Sequence, residues 1–322
     1  MTAHLTAIWD RYPVLRKVVT PALLTVILVS GVLAWTTFGF DWGRSDGDPW
    51  NYLAAGERLN AGHPLYELSP GDRPVVIAPP YWTVPLLAPP PIAVFWRPLA
   101  LLGETSMYLW GAAGLIAILA SGWFLWRRGA LFLVGVLALE LWLTALSGNA
   151  SGLVLAMLIG AFVFRDRPWA VGTLIALAAA IKVLPILLVL WLMATGRWRA
   201  VAATAVVIGV ILVISLLGAG PEAFSDWLAS AVTAAPSPQA LATRIGVATW
   251  VVAAVLAVPI VLLAGRDRLS FGAAILATAL ATPAFYFSAW ALLAALPVWR
   301  DQRPERMPSP RAAVASRTVA DA

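Results

Sequence analysis

The chain has no cysteine. That excludes disulfides, thiolate metal sites and a cysteine nucleophile. Histidine is almost as scarce, with His4 and His63 the two copies in 322 residues. A metal centre built on imidazoles lacks ligands, so no metal and no cofactor are expected. Charge is also sparse. Asp, Glu, Lys and Arg make up 12% of the residues, about half the roughly 25% of a soluble domain. Short alternating apolar segments are missing too, which excludes a transmembrane barrel.

What the chain has is apolar length. Hydrophobic residues make up 61% of it, in continuous runs near 19–40, 105–126, 130–146, 151–164, 168–181, 183–195, 199–218, 244–264, 270–281 and 284–299. We read these as an all-α, polytopic integral membrane protein with about ten transmembrane helices. The first run is long for a signal peptide and is read as an uncleaved span. Arg127–Arg128, Arg165 with Arg167, Arg197 with Arg199, Arg266 with Arg268, and Arg300 fall at alternate joints. With Arg11, Arg16 and Lys17 they mark one side as cytoplasmic, so the net charge of +6 reports topology and no nucleic-acid partner is expected. Residues 1–300 then form one transmembrane domain, 41–104 its first outer loop, and 301–322 a disordered cytoplasmic tail.

Several runs are too short to cross. Residues 151–164, 168–181 and 270–281 would rise about 18–21 Å as helix, against roughly 30 Å of hydrocarbon. Each ends on the outer side at a polar point: Asn149, Lys182 or Thr282. Short broken helices around an outward-facing cavity are the expectation. The Pro-rich stretch 78–102 is read as a re-entrant or surface-lying segment that makes no net crossing.

The acids gather in the first outer loop: Asp41, Asp46, Asp48, Glu57 and Glu67. "SDGDPWNYLAAGERLNAG" reads as a capped helix with Asp48 at the N-cap, Pro49 at N1 and Gly62 past the end. Asp48 is then a helix cap, a catalytic carboxylate, or both; Asp46 is the reserve candidate or a plain loop acid. Lys182 interrupts an apolar run just before Pro185. It is a snorkelling lysine or a point charge that holds a phosphate. Asn149, in "LSGNASG", is a turn residue or a substrate contact. Glu140 lies inside a predicted span. The seventeen tryptophans suit interfacial belts, yet Trp50, Tyr52, Tyr81 and Trp82 are also candidates for stacking on a sugar.

Three stretches carry a resemblance: "DPWNYLAAGERLNAGHPLY" with the following "APPYWTVPLLAPP"; "GNASGLVLAMLIGAFVFRDRPWAVGTLIALAAAIKVLPILLVLWLMATGRWRA"; and, more weakly, "ATPAFYFSAWALLAALPVW". Together they resemble glycosyltransferase family 87, polytopic transferases of the C superfamily typified by enzymes that use polyprenyl-phosphate mannose. The likeness is good from about residue 41 to 200 and thin afterwards. It implies an inverting transfer of a hexose, mannose first, from a polyprenyl-phosphate donor to a glycolipid or lipoglycan acceptor. The reaction would run on the outer face of a bacterial cytoplasmic membrane. Asp48 would be the general base, and Lys182 would stabilise the leaving phosphate. Asn149 stands where the family has Gln, Ser151 where it has Asn, and Ser288 where it has His; Ser288 therefore joins the candidate substrate-binding residues. A transporter or flippase of lipid-linked sugar is the runner-up, and a non-catalytic family member the third reading.

Overall fold

The structure, a computed structural model, describes residues 13–39, 42–43, 47–77, 83–233, 235–283 and 286–299. The expected tail at 301–322 lies outside them. Among the described residues the fold is all helical, with fourteen α-helices and no strand. In chain order they are α1 (Pro13–Phe38), α2 (Asp48–Ala61), α3 (Pro90–Ala100), α4 (Thr105–Arg127), α5 (Leu131–Val136), α6 (Ala138–Leu146) and α7 (Ser151–Val163). There follow α8 (Pro168–Ile181), α9 (Leu188–Ala194), α10 (Trp198–Thr233), α11 (Leu241–Ile245), α12 (Thr249–Leu262), α13 (Asp267–Leu280) and α14 (Phe287–Ala291).

Among the described residues three helices are long and apolar enough to cross a membrane: Lys17–Thr37 in α1, Thr105–Arg127, and Trp198–Ala231 in α10. Four further apolar helices are shorter: Ser151–Val163, Pro168–Ile181, Leu184–Ala194 and Thr249–Leu262. Large apolar side chains stand exposed along them, Leu28, Leu217 and Leu262 among the barest. Water would not tolerate so continuous an apolar surface, whereas lipid would.

Two expected runs take a different form. Residues 130–146 are broken at Leu137, whose φ of −101° and ψ of 14° leave the helical region. No Pro stands there, and Gly135 lies two residues before the break. The break lets both halves pack on α1, where Gly135 of α5 lies against Leu23 and the Trp142 indole of α6 donates to the Ile27 carbonyl at 3.0 Å. The joint expected at 219–243 is helical in its first half. α10 bends at Gly220 (φ 80°, ψ 162°) and continues from Pro221 to Thr233. A left-handed glycine followed by a residue without an N–H is a sufficient cause of the kink. The second arm brings Ala223 and Trp227 onto the packing around α2.

The main core lies among α7, α8, α9 and α13. Its centre is aromatic: Phe162, Trp191 and Phe271 are buried, with ring centroids 4.8 Å apart for Phe162–Phe271 and 4.9 Å for Trp191–Phe271. At one end of this core the arginine joints converge. Asp267 accepts Arg197 through both oxygens, at 2.8 and 3.0 Å. It also accepts Arg165 Nε at 3.0 Å and the Trp191 indole at 2.9 Å. Arg268 donates to the Pro297 carbonyl at 2.9 Å and to that of Trp299. Charged hydrogen bonds in a fork are the strong kind. Asp267→Asn takes away the charge that two guanidiniums share. We expect a loss of roughly 1–3 kcal/mol, read as a lower melting temperature of the detergent-solubilised protein. An unchanged melting temperature would show the clasp to be idle.

Candidate functional site

α7 leaves the Asn149 turn and α8 returns to Lys182, the two packing side by side. A short turn at Phe164–Arg167 joins them at the arginine end. Ala150 and Lys182 therefore lie at the same, opposite end. α2 and α3 cover that end. They pack on each other, α2 also on α4, and α3 on α8 and α10.

α2 begins at Asp48. Its cap position is Gly47, which is extended (φ −89°, ψ 156°), and no side chain caps the helix. The cap reading of Asp48 is thus corrected: the carboxylate is one residue too far along and turned elsewhere. Its Oδ2 accepts the Tyr52 hydroxyl at 3.3 Å and the Ala150 N–H at 3.4 Å. The negative charge sits at the first turn of α2 and at the start of α7, the positive ends of two helix dipoles. Pro49 falls in the first turn as its second residue, one place further along than expected, and Gly62 ends the helix at φ 75°.

The turn on which Asp48 docks is closely packed. Gly148 has φ 66°, and a Cβ there would come within 2.6 Å of the Pro49 ring. Only glycine suits both the backbone and the contact. The Gly148 carbonyl accepts the buried Trp110 indole at 3.1 Å, and the Ala145 carbonyl accepts the Trp42 indole at 3.1 Å. Asn149 spends its Oδ1 on the Ser151 N–H at 2.9 Å, an Asx turn that shapes the loop.

Tyr52 is buried, 5% exposed. Its ring lies 5.8 Å from Trp96 and 5.7 Å from Trp110, and those two lie 5.4 Å apart. Little ring surface is left for a sugar. Burial, then the Asp48 charge and hydrogen bond, push the phenol well above its ordinary value, so it remains a donor to Asp48.

Lys182 follows α8 in extended conformation (φ −135°, ψ 121°). Pro185 then starts a 3₁₀ turn, Leu184–Leu187, so the run is broken where the charge sits. Burial works against the ammonium and the Asp48 carboxylate supports it. Ile181, next to it, packs on the same cluster as Tyr52, Trp96, Trp110 and Ala150. Asp48, Tyr52, Asn149 and Lys182 are therefore neighbours around one point. Ser288 is buried in α14, which packs against α6 and α7. Asp46, Tyr81 and Trp82 lie outside the described residues. A separate depression of about 490 Å³ lies at the arginine end, lined by Arg165, Pro168, Arg197 and Arg199. It opens at the other end of α8 from Lys182 and is distinct from this point.

The segment after α2 is pinned to it. Arg73 forks onto Glu57 at 2.7 and 2.9 Å and lies 4.7 Å over the Trp50 ring. The Trp50 indole donates to the Pro74 carbonyl at 2.7 Å. His63 Nδ1 meets Asp72 at 2.6 Å. One residue that the sequence reading passed over is Arg58, 1% exposed. It shares a helix face with Asn51 and Ala55, and that spacing was the available signal.

These features describe an all-helical membrane protein with a carboxylate and an ammonium set together beneath a helical cap. The family model of glycosyltransferase family 87 matches residues 87–316, more than half of the chain. The chain belongs to that family, and the activity the family implies is glycosyl transfer. The match runs through the stretch after 200 that read as thin, and it begins after Asp48. No curated protein and no solved structure matches.

Asp72 links this geometry to pH. Burial pushes its carboxyl up, but the Ser69 N–H, the His63 bond and nearby positive charge outweigh this and hold it below its ordinary 3.8. A depressed carboxyl stabilises the fold fully above that value and loses its contribution as pH falls through the folded one. Hydrogen-exchange protection across residues 63–77, taken relative to the intrinsic rate at each pH, should therefore be high at neutral pH and fall below about 3.8. In Asp72→Asn it should be lower at neutral pH and lose that acid step. The same acid step in the variant would remove Asp72 from the account.

Proposed function

We propose that the chain is an inverting glycosyltransferase that moves a hexose, mannose first, from a polyprenyl-phosphate donor to a glycolipid or lipoglycan acceptor. The single observation that supports it is that Asp48 lies within electrostatic reach of Lys182 at one end of α7 and α8, beneath the α2–α3 cap. Asp48 takes the proton of the acceptor hydroxyl. That oxygen bonds to the anomeric carbon as the bond from this carbon to the phosphate oxygen breaks. The electron pair leaves with the lipid phosphate, and Lys182 balances the charge that develops there. Tyr52 acts through Asp48, orienting the carboxylate by its hydroxyl and leaving the second oxygen for the substrate. About ten crossings, with this end facing outward across a bacterial cytoplasmic membrane, complete the proposal.

The test is sugar transfer by membranes containing the full chain, with labelled polyprenyl-phosphate mannose and a lipid extract as acceptor. Asp48→Asn should lower kcat about 10²–10⁴-fold, the range of a positioned base. Lys182→Met should lower it about 10²–10³-fold, as for a lost oxyanion partner. Tyr52→Phe should cost less than either. Transfer that survives Asp48→Asn would remove the base and with it this mechanism.

A further inference from the structure

The depression at the arginine end, about 490 Å³ in volume, is of the size of a small-ligand site and has no part in the chemistry proposed above. Arg165, Arg197 and Arg199 line it together with Asp166. Arg165 and Arg197 share Asp267, so three guanidiniums stand against two carboxylates. Asp166 is itself engaged. Arg199 is exposed and has no ion-pair partner among the described residues. The starts of two helices add to this positive excess. α8 and α10 pack side by side and run parallel, since Pro168 and Trp198, their first residues, both line the depression. Gly172 permits the close approach: a Cβ there would come within 2.8 Å of the Thr204 nitrogen. Two positive dipole ends are thereby set together. The first-turn N–H groups have no partner inside a helix, and no side chain caps α8. Arginines and helix starts around one hollow are a phosphate-binding arrangement.

The surroundings say where the phosphate comes from. Trp198 forms part of the lining and Trp169 follows Pro168; they are 60% and 63% exposed, as suits side chains at a membrane interface. From Trp198 an apolar stripe continues along α10 through Val206, Val210 and Val213, all exposed and spaced to share one face. Trp198 to Val210 rises about 18 Å, close to one leaflet's share, about 15 Å, of the hydrocarbon. A hollow for a headgroup and a track for an acyl chain thus begin at the same residue. We propose that the depression binds the phosphate headgroup of an anionic phospholipid, with one acyl chain laid along α10. Arg199 and the first turns of α8 and α10 donate to the phosphate, while Arg165 and Arg197, held by Asp267, form the positive wall behind it. The site lies at the other end of α8 from Lys182. This lipid is therefore neither donor nor acceptor of sugar, and it closes the end of the bundle that α2 and α3 do not cover.

The experiment reads binding without turnover. The full chain in neutral maltoside micelles is melted over a series of dioleoyl phosphatidylglycerol concentrations, and an apparent Kd is taken from the rise in melting temperature. Dioleoyl phosphatidylcholine and inorganic phosphate at equal concentrations are the other two arms. Wild type should melt higher with phosphatidylglycerol than with either. Arg199→Gln should weaken the apparent affinity about fivefold, and Arg199→Lys, which keeps the charge, should lose less. Both should melt like wild type without lipid, because the side chain is exposed. Arg244→Gln, an exposed arginine of α11 outside the depression, should bind like wild type. A rise no greater than with phosphatidylcholine, or one that Arg199→Gln retains in full, would overturn the proposal. So would an equal loss in Arg244→Gln, which would mean diffuse attraction to charge. An equal, Arg199-dependent rise with inorganic phosphate would overturn the lipid assignment in favour of a free anion. Absence of sugar transfer would sink the transferase reading and leave these results standing.

Discussion

Two central helices are too short to cross a bilayer, and much of the architecture answers that constraint. α7 and α8 have 13 and 14 residues and rise about 20 Å, well under roughly 30 Å of hydrocarbon. Their free ends need cover, since backbone groups at a helix terminus cannot face lipid unpaired. At one end the cover is electrostatic, with Arg165, Arg197 and Asp267 closing the joints. At the other it is a helical cap, α2 on α3, resting on the turn before α7. A polar point enclosed by protein at that end is the place where a carboxylate and an ammonium can be held together.

The outer-loop acids separate once their partners are known. Glu57 and Glu104 both serve Arg73. Asp72 serves His63 and the Ser69 N–H. Glu67 is exposed. Asp48 alone among the described acids of this loop is turned inward to Tyr52 and Ala150, and alone acts on Lys182. A catalytic base must be held in place and kept from neutralising salt bridges. Asp48 is held by one hydroxyl and one N–H and forms no contact ion pair among the described residues.

The candidate residues stood out in the sequence, whereas the bends and clasps of the fold did not. Asp48 and Lys182 could be read because punctuation surrounds them: Pro49 and Gly62 frame α2, and Pro185 breaks the run after Lys182. Charges in apolar surroundings are conspicuous. The break at Leu137 has little local sign beyond Gly135, because both halves pack on α1, more than a hundred residues earlier. The Asp267 clasp was hidden for the same reason, since its arginines lie 70 residues away or more. Gly220–Pro221 is a strong breaker and suggested a loop, but the chain resumed helix at once. Arg58 was missed because an arginine on a polar-looking helix reads as solvent-exposed, and the loop that buries it follows α2.

Tryptophan shows why composition alone misassigns. A belt explains Trp123, Trp169 and Trp250, which stand exposed. It does not explain Trp96 and Trp110, which pack with Tyr52 into a floor directly beneath Asp48. Asp48 itself is half-buried, and the floor closes the side from which Tyr52 donates to it. Away from bulk water, charges a few ångströms apart interact more strongly. Donor bonds from Tyr52 and Ala150 hold the carboxylate in place. Tyr52, Trp96 and Trp110 therefore bear on the proposed site as a packed wall beside Asp48, whatever sugar that proposal takes.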